Sequence, residues 1–262
     1  MTLIRTIVVY IYIIAAVIRG SFCYKKFQKQ KDILGEELVQ QKIHDHASGV
    51  AKRIMKLSGA RMKVNGVENL PKEGAVLYVS NHQSFMDVPA IMAVLERPTG
   101  FIAKDDLGKI PFFKEWVVQL KAVLIARGDA RKALTAIIQA AKLLQQGHCM
   151  VLYPEGTRSR DGKLLEFKAG SLKAAQKGNA AIVPVAIDGA MDVMKRDSYW
   201  IHKADVTVTI MPAIPAEEVK AADTKELADR LKKQIADVLG QEFVPQAVLD
   251  QMAEQNAEQG AE

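Results

Sequence analysis

Cysteine is nearly absent: Cys23 and Cys149 are the two in 262 residues. Two thiols cannot build a disulfide framework or a zinc-ribbon ligand set, and such sparse usage suits a reducing, cytosolic side. Long apolar runs are missing apart from one near the N-terminus, which excludes a polytopic membrane protein. Hydrophobic residues at 49% and charged residues at 25% match an ordinary globular chain, so disorder and collagen-like repeats are excluded too. The sequence has no internal repeat, no G-x-S-x-G nucleophile elbow, and no zinc, dinucleotide or haem signature. Gly156 to Gly162-Lys163 is not a P-loop, because one residue too many intervenes and Leu164 stands where Ser or Thr is required. What is left is a chain long enough to bury a substantial core as one α/β domain or two small ones.

Charge is unevenly placed. The chain carries a net +6, yet Met1 to Lys63 holds 12 Lys+Arg against 4 Asp+Glu, and Gly240 to the end holds 5 acids and no base. A basic front end suits an anionic partner, either nucleic acid or a phospholipid surface. The residues between Arg5 and Arg19 decide in favour of the membrane. Thr6 to Ile18 is 13 uncharged residues rich in Ile, Val, Tyr and Ala, about 20 Å as a helix and short of a roughly 30 Å hydrocarbon core. Snorkelling by Arg5 narrows that gap. Ala15-Ala16-Val17 runs into Ile18 and Arg19 without a convincing cleavage site, which argues against a signal peptide. Phe22 before Cys23 argues against a lipoprotein signal. A short spanning helix and one dipping into a single leaflet both remain open.

Lys25, Lys26, Lys29 and Lys31 then suit the headgroups of an anionic leaflet. Val39, Ile43, Ala47, Val50, Ile54 and Leu57 recur at three- and four-residue steps, predicting an amphipathic helix over Glu36–Leu57. That stripe either packs on the core or lies on the membrane. His44 and His46, two apart, do not share a helix face and make no metal pair.

From Arg61 onward, strand and helix patterns alternate. Strands are expected at Arg61–Val64, Ala75–Ser80, Gly100–Ala103, Ala122–Ala126, Cys149–Tyr153, Ala181–Ile187 and Val206–Met211. The clearest helix, Ala130–Gln146, has Asp129 as cap, Gly147 as stop, and Leu134, Ile137, Ile138, Ala141 and Leu144 on one face. Another opens at Asp223-Thr224-Lys225-Glu226, a capping-box arrangement. The alternation predicts a single α/β domain with a largely parallel central sheet flanked by helices, preceded by a membrane-associated helical segment. The organisation expected is residues 1–58 as membrane-anchoring helices, 59–240 as the α/β domain, and 241–262 as an acidic helix and tail.

Two clusters carry chemistry, each directly after an expected strand, where α/β sheets place their sites. In Asn81-His82-Gln83-Ser84-Phe85-Met86-Asp87, a strand-to-helix turn lets Asp87 fold back on one imidazole nitrogen of His82. That contact would fix the tautomer and leave the other nitrogen as a proton acceptor. With no side-chain nucleophile in the sequence pattern, the proton His82 removes would belong to a substrate hydroxyl. In Tyr153-Pro154-Glu155-Gly156-Thr157-Arg158-Ser159, proline and glycine turn the chain and display Glu155 and Arg158. An arginine there suits a phosphate or carboxylate; a solvated surface ion pair is the plainer alternative.

An N-H-x-x-x-x-D block followed some seventy residues later by Y-P-E-G-T-R-S resembles the glycerolipid acyltransferase family. Ala103-Lys104 with Ile110-Pro111-Phe112-Phe113, Val123 to Arg127, and Ile182 to Ile187 are similar to further family blocks, Tyr153 replacing the more usual Phe and Ala126 a frequent acid. The resemblance, over about Val64 to Met211, implies acyl transfer from a thioester to the 2-hydroxyl of a lysophosphatidic acid. His82 would be the general base and Asp87 its orienting partner. Lys104, Arg127 and Arg158 would hold the phosphate, while Glu155, Gly156 and Thr157 shape the acceptor site. Backbone N–H groups near the first block are expected to stabilise the oxyanion, and Lys168 is expected to be a surface lysine. The implied partners are the bilayer, lysophosphatidic acid, and acyl-CoA or acyl carrier protein as donor substrate, with no cofactor, metal or nucleic acid. The implied location is the cytoplasmic face of an inner membrane. Alternatives are the same chemistry on another lysolipid or glycerol 3-phosphate, water as acceptor, or a silent lipid-binding scaffold.

Overall fold

Four strands buried along most of their length with nearly continuous apolar sequence cannot face water on either side, and a parallel sheet between helical layers is the arrangement that hides them. The computed structural model describes residues 1–126, 130–245 and 248. Its strands are β1 (Arg61–Asn65), β2 (Val76–Ser80), β3 (Thr99–Lys104), β4 (Val123–Ile125), β5 (Cys149–Leu152), β6 (Ala181–Asp188) and β7 (Asp205–Ile210). The helices are α1 (Thr2–Lys29), α2 (Lys31–Leu34), α3 (Glu36–Ser58), α4 (Asp87–Met92), α5 (Phe113–Gln119), α6 (Ala130–Gln145), α7 (Ala169–Gly178), α8 (Ala190–Val193), α9 (Ala216–Ala221) and α10 (Thr224–Leu239).

The strands form one sheet in the order β1-β7-β6-β2-β5-β3-β4. Every pairing is parallel except β6 with β7, where Val185 faces Ile210 and Asp188 faces Thr207. Val76, Tyr78, Val151, Val183 and Val185 point to a core shared with α1, α3 and α4. Leu77, Val79, Met150, Leu152 and Ile182 point to the opposite core with α6, α7 and α10. The result is a three-layer α/β/α sandwich in which the C-terminal ends of β2, β3, β5 and β6 share one edge.

All seven expected strands form, with ends shifted by a residue or two. Asp223 caps α10 by accepting from Lys225 N at 2.7 Å and Glu226 N at 3.2 Å, and the left-handed Gly240 ends it. Asp129, the expected cap of α6, lies outside the described residues. The buried face of α6 differs from the expected stripe: Ala136, Ile137, Ala140, Ala141 and Leu144 are buried, but Leu134 is 53% exposed and Ile138 38%. Close approach to α7 is the reason. A side-chain carbon on Gly178 would stand 2.6 Å from Leu144 Cβ and 3.2 Å from Ala141 O, so small residues form this contact and the larger ones turn outward.

The first helix is longer than its apolar run, because Arg19 to Lys29 continue it to 28 residues, about 42 Å. It is fastened to the body along this length. Ile201 N donates to Thr6 Oγ1 at 3.0 Å, Trp116 Nε1 to Val17 O at 3.0 Å, Ser21 Oγ to Phe112 O at 2.7 Å, and Gln28 Nε2 to Gln119 Oε1 at 2.8 Å. Its inner row, Thr6, Val9, Ala16, Gly20 and Tyr24, is buried. Its outer row, Leu3, Ile4, Ile7, Val8, Ile11, Ile14, Ile18 and Phe22, is exposed. The apolar face of α3 is spent on the core through Val39, Ile43, Ala47, Ala51 and Met55, with Val50, Ile54 and Leu57 half-buried beside them.

Gly20 is where α1 passes closest to the body, since a Cβ there would lie 2.3 Å from Trp116 Cζ2. Alanine normally gains about 1 kcal/mol over glycine inside a helix, but overpacking against a buried indole outweighs it. Gly20→Ala is expected to destabilise by about 1–2 kcal/mol, read as faster amide exchange in α1 and a shifted Trp116 emission.

Candidate active site

The turn after β2 is held from below by Asn81, whose Nδ2 donates to Ile187 O and whose Oδ1 accepts from Ile187 N, both at 2.8 Å. This double bond to β6 fixes where His82 leaves the sheet. Asp87, the first residue of α4, is fully buried and folds back across the turn. Its Oδ2 accepts from His82 Nδ1 at 2.7 Å, Gln83 N at 2.7 Å and Ser84 N at 2.8 Å. The proton on Nδ1 is thereby committed, and Nε2 is left with its lone pair.

The loop after β5 grips His82 on three sides. His82 N donates to Glu155 Oε1 at 2.7 Å, and Ser159 N donates to His82 O at 2.8 Å. The Tyr153 ring stacks on the imidazole, centroids 4.2 Å apart and planes 18° from parallel. Glu155 is 3% exposed, and its second oxygen accepts from Leu165 N at 3.0 Å. Its carboxylate therefore serves the backbone, shaping the site through the loop. Burial pushes this carboxyl up to about 7, against the lowering pull of the two N–H donors. Burial likewise holds the Tyr153 hydroxyl well above its ordinary value, with Asp87 adding to the effect. That hydroxyl and Asp87 Oδ1 are both buried with no hydrogen-bond partner.

Arg158 lies across the first cluster, its guanidinium 3.8 Å from the centre of the Phe85 ring, and donates to Arg196 O at 3.3 Å. Arg196 in turn donates to Arg158 O, a partner no sequence pattern announced. Gly156 adopts φ 68°, and the Lys168 side chain runs past it, so a Cβ on Gly156 would stand 2.9 Å from Nζ. Lys168 thus lies along the loop as well as being exposed. Thr157 is half-buried between Gly156 and Arg158. Lys104 ends β3 on the same edge and pairs with Asp106, whose carboxyl Lys104 and Lys109 draw down to about 2. Arg127 lies outside the described residues.

Most backbone N–H groups of the first block are already engaged. His82, Gln83, Ser84, Met86 and Asp87 N–H are all engaged within the turn or by Glu155, so these groups are unavailable to a substrate oxygen. The two serine hydroxyls of these clusters are also committed: Ser84 Oγ donates to Met194 O at 2.6 Å and Ser159 Oγ to Asp161 Oδ1 at 3.2 Å. Elsewhere, His148 has a partner the sequence did not suggest, Lys121 Nζ at 2.9 Å. His44 Nε2 donates to Leu95 O at 2.9 Å. Among the described residues no group of three His, Cys, Asp or Glu could hold a metal ion.

An α/β sandwich with a histidine–aspartate turn at one strand end, clasped by a P-E-G-T-R loop from the next strand, defines an acyltransferase-type protein. Residues 61–188 match the Acyltransferase family, and the chain belongs to it. It is similar to the 1-acyl-sn-glycerol-3-phosphate acyltransferase of Helicobacter pylori, 30% identical over 62% of this chain and 68% of that one. It is 28% identical to the Borreliella burgdorferi protein of the same description over 68% of this chain and 72% of the relative. A Chlamydomonas reinhardtii relative is 34% identical over 71% of this chain, which spans 55% of that longer protein. Among solved structures, the 1-acyl-sn-glycerophosphate (LPA) acyltransferase PlsC from Thermotoga maritima superposes with a TM-score of 0.76 and 26% identity, covering 92% of this chain and 99% of that one.

Glu155 generates two expectations. Because its folded-state value, about 7, lies above the ordinary 4.5, the folded protein holds this proton more tightly. Its contribution to stability is then full below about pH 4.5 and lost as pH rises through about 7. Urea unfolding from about pH 5 to about pH 8 should show a fall of order 2–3 kcal/mol that Glu155→Gln lacks. Glu155→Ala, by loosening the His82 backbone, should lower kcat about a hundredfold with little change in KM. Tyr153→Phe keeps the stack and removes the unpartnered hydroxyl; thermal unfolding should show a gain of about 1 kcal/mol with kcat near wild type.

Proposed function

We propose that the protein moves a fatty acyl group from an acyl thioester to the 2-hydroxyl of 1-acyl-glycerol 3-phosphate, giving phosphatidic acid. The observation that carries this reading is the His82–Asp87 contact in a turn whose one serine, Ser84, is committed elsewhere. His82 Nε2 takes the proton of the acceptor hydroxyl as that oxygen attacks the thioester carbonyl, and the buried Asp87 carboxylate stabilises the imidazolium. Collapse of the tetrahedral intermediate breaks the C–S bond, and the imidazolium returns its proton to the thiolate. Acyl-CoA and acyl carrier protein both supply such a thioester.

Lys104 and Arg158, on neighbouring strand ends, and Arg127, which follows β4, are the cations assigned to the acceptor phosphate. A phosphate monoester carries between one and two negative charges near neutral pH, and clamping it sets the hydroxyl near His82. Glu155 holds the loop, Gly156 supplies its left-handed turn, and Thr157 lines it.

The first 58 residues are assigned to membrane attachment. A helix bonded to the body from Thr6 to Gln28 cannot cross a bilayer that the body does not cross, so α1 lies in one leaflet with its outer apolar row in the acyl region. Lys25, Lys26 and Lys29 meet the headgroups, and the basic balance favours an anionic, cytoplasmic leaflet. The exposed lysines of α3 add to that charge.

The test is acyl transfer by purified protein with labelled acyl-CoA or acyl carrier protein, offering lysophosphatidic acid, glycerol 3-phosphate or a lysolipid without the terminal phosphate. Phosphatidic acid is the expected product, with His82→Ala reducing kcat at least a hundredfold while vesicle binding persists. Arg158→Ala should raise KM for lysophosphatidic acid about tenfold or more. Full activity of His82→Ala would overturn the mechanism; turnover of another acceptor would move the substrate.

A further inference from the structure

Phe112 sits in the left-handed region at φ 62°, ψ −26°. The turn Ile110-Pro111-Phe112-Phe113 closes with Phe113 N donating to Ile110 O at 3.2 Å, placing proline second and Phe112 third. The third position of such a type II turn calls for glycine or asparagine, and a phenylalanine there is strained. The core does not repay this strain, because Phe112 is 48% exposed and Ile110 47%. A strained aromatic held out into solvent points to a partner outside the domain.

The position of the turn identifies the partner. Ser21 Oγ of α1 donates to Phe112 O at 2.7 Å, and the next residue, Phe22, is 63% exposed at the end of the outer apolar row. Phe112 and Ile110 therefore continue the face that α1 presents. Exposed Lys25, Lys26, Lys29, Lys109 and Lys114 lie on these same segments; Lys25 pairs with Glu115 and Lys109 with Asp106, and the others add the charge that an anionic headgroup layer requires. In the other direction the segment leads through Asp105–Lys109 back to Lys104, at the strand edge that carries His82.

We infer that the Ile110–Phe112 turn is a second membrane-inserting element, seated in the same leaflet as α1, where it sets the point at which a membrane-borne lysolipid meets the site. The occupant is an anionic phospholipid surface. The inference rests on the membrane reading of α1 and, for lysolipid entry, on the acyl-transfer reading.

Phe112→Asn tests it without disturbing the turn, since asparagine adopts the left-handed conformation readily. Phe112→Trp restores an aromatic, and Ile11→Lys breaks the outer row of α1. The measurements are co-sedimentation with phosphatidylglycerol–phosphatidylcholine vesicles, acyl transfer to a long-chain lysolipid in them, and transfer to a short-chain, water-soluble acceptor. Expected for Phe112→Asn are about a tenfold loss of vesicle partition and a parallel rise in KM for the vesicle-borne acceptor. Its activity on the soluble acceptor should not change, and Phe112→Trp should behave as wild type. Wild-type partition of Phe112→Asn beside a defective Ile11→Lys would overturn the inference while leaving α1 in the membrane. Equal binding of Ile11→Lys and wild type would overturn both. Loss of soluble-acceptor activity in Phe112→Asn would also overturn it, by making the turn part of the site. Should the wild type acylate neither acceptor, the acyl-transfer reading falls and vesicle partition alone decides: a tenfold loss supports the insertion and no loss overturns it.

Discussion

One oxygen, Asp87 Oδ2, organises the turn after β2. It draws in two backbone N–H groups and the imidazole at once, so the turn cannot open without exposing donors inside a buried site. Burial of a carboxylate is costly unless hydrogen bonds replace its water, and three donors of this kind supply the replacement. The same bonds fix the His82 tautomer. They also engage the Gln83 and Ser84 N–H groups, which therefore cannot face a substrate as well.

The second cluster works through the first. Two of the three contacts made by the loop after β5 fall on the backbone of His82 and the third on its ring. Because β2 and β5 are neighbouring parallel strands, their C-terminal loops meet by construction. The roughly seventy residues separating the clusters in sequence are spanned by two hydrogen bonds. Lys104 reaches the same edge through β3, which pairs with β5. The sheet order therefore brings three segments distant in sequence to one edge.

The strands and the His82–Asp87 contact were legible because each leaves a strong local signal: unbroken apolar runs for buried parallel strands, and a five-residue spacing that a turn can close. Side-chain direction was harder to read. Glu155 and Arg158 lie three apart in one loop, yet one is turned inward to the backbone and the other lies over Phe85. Sequence shows both as charges on a turn. The rotation of α6 was likewise hidden, since Leu134 and Ile138 are better hydrophobes than the alanines that displace them, and only the approach of Gly178 reveals why. For α1 the 13-residue apolar run marks less than half of a helix that continues through the lysines.

Docking of α1 also sets the relation between site and surroundings. Two of its anchor points, Ile201 and Phe112, belong to segments that lead into β7 and away from β3. Since β7 runs antiparallel to β6, its beginning and the end of β3 lie on the same edge of the sheet, the edge that carries His82. The outer row of α1 is thus held at a fixed height relative to the His82 turn by bonds to that edge. A leaflet that took up this row would fix the depth of His82 at the same time, because rigid hydrogen-bonded packing rather than a flexible linker joins the two.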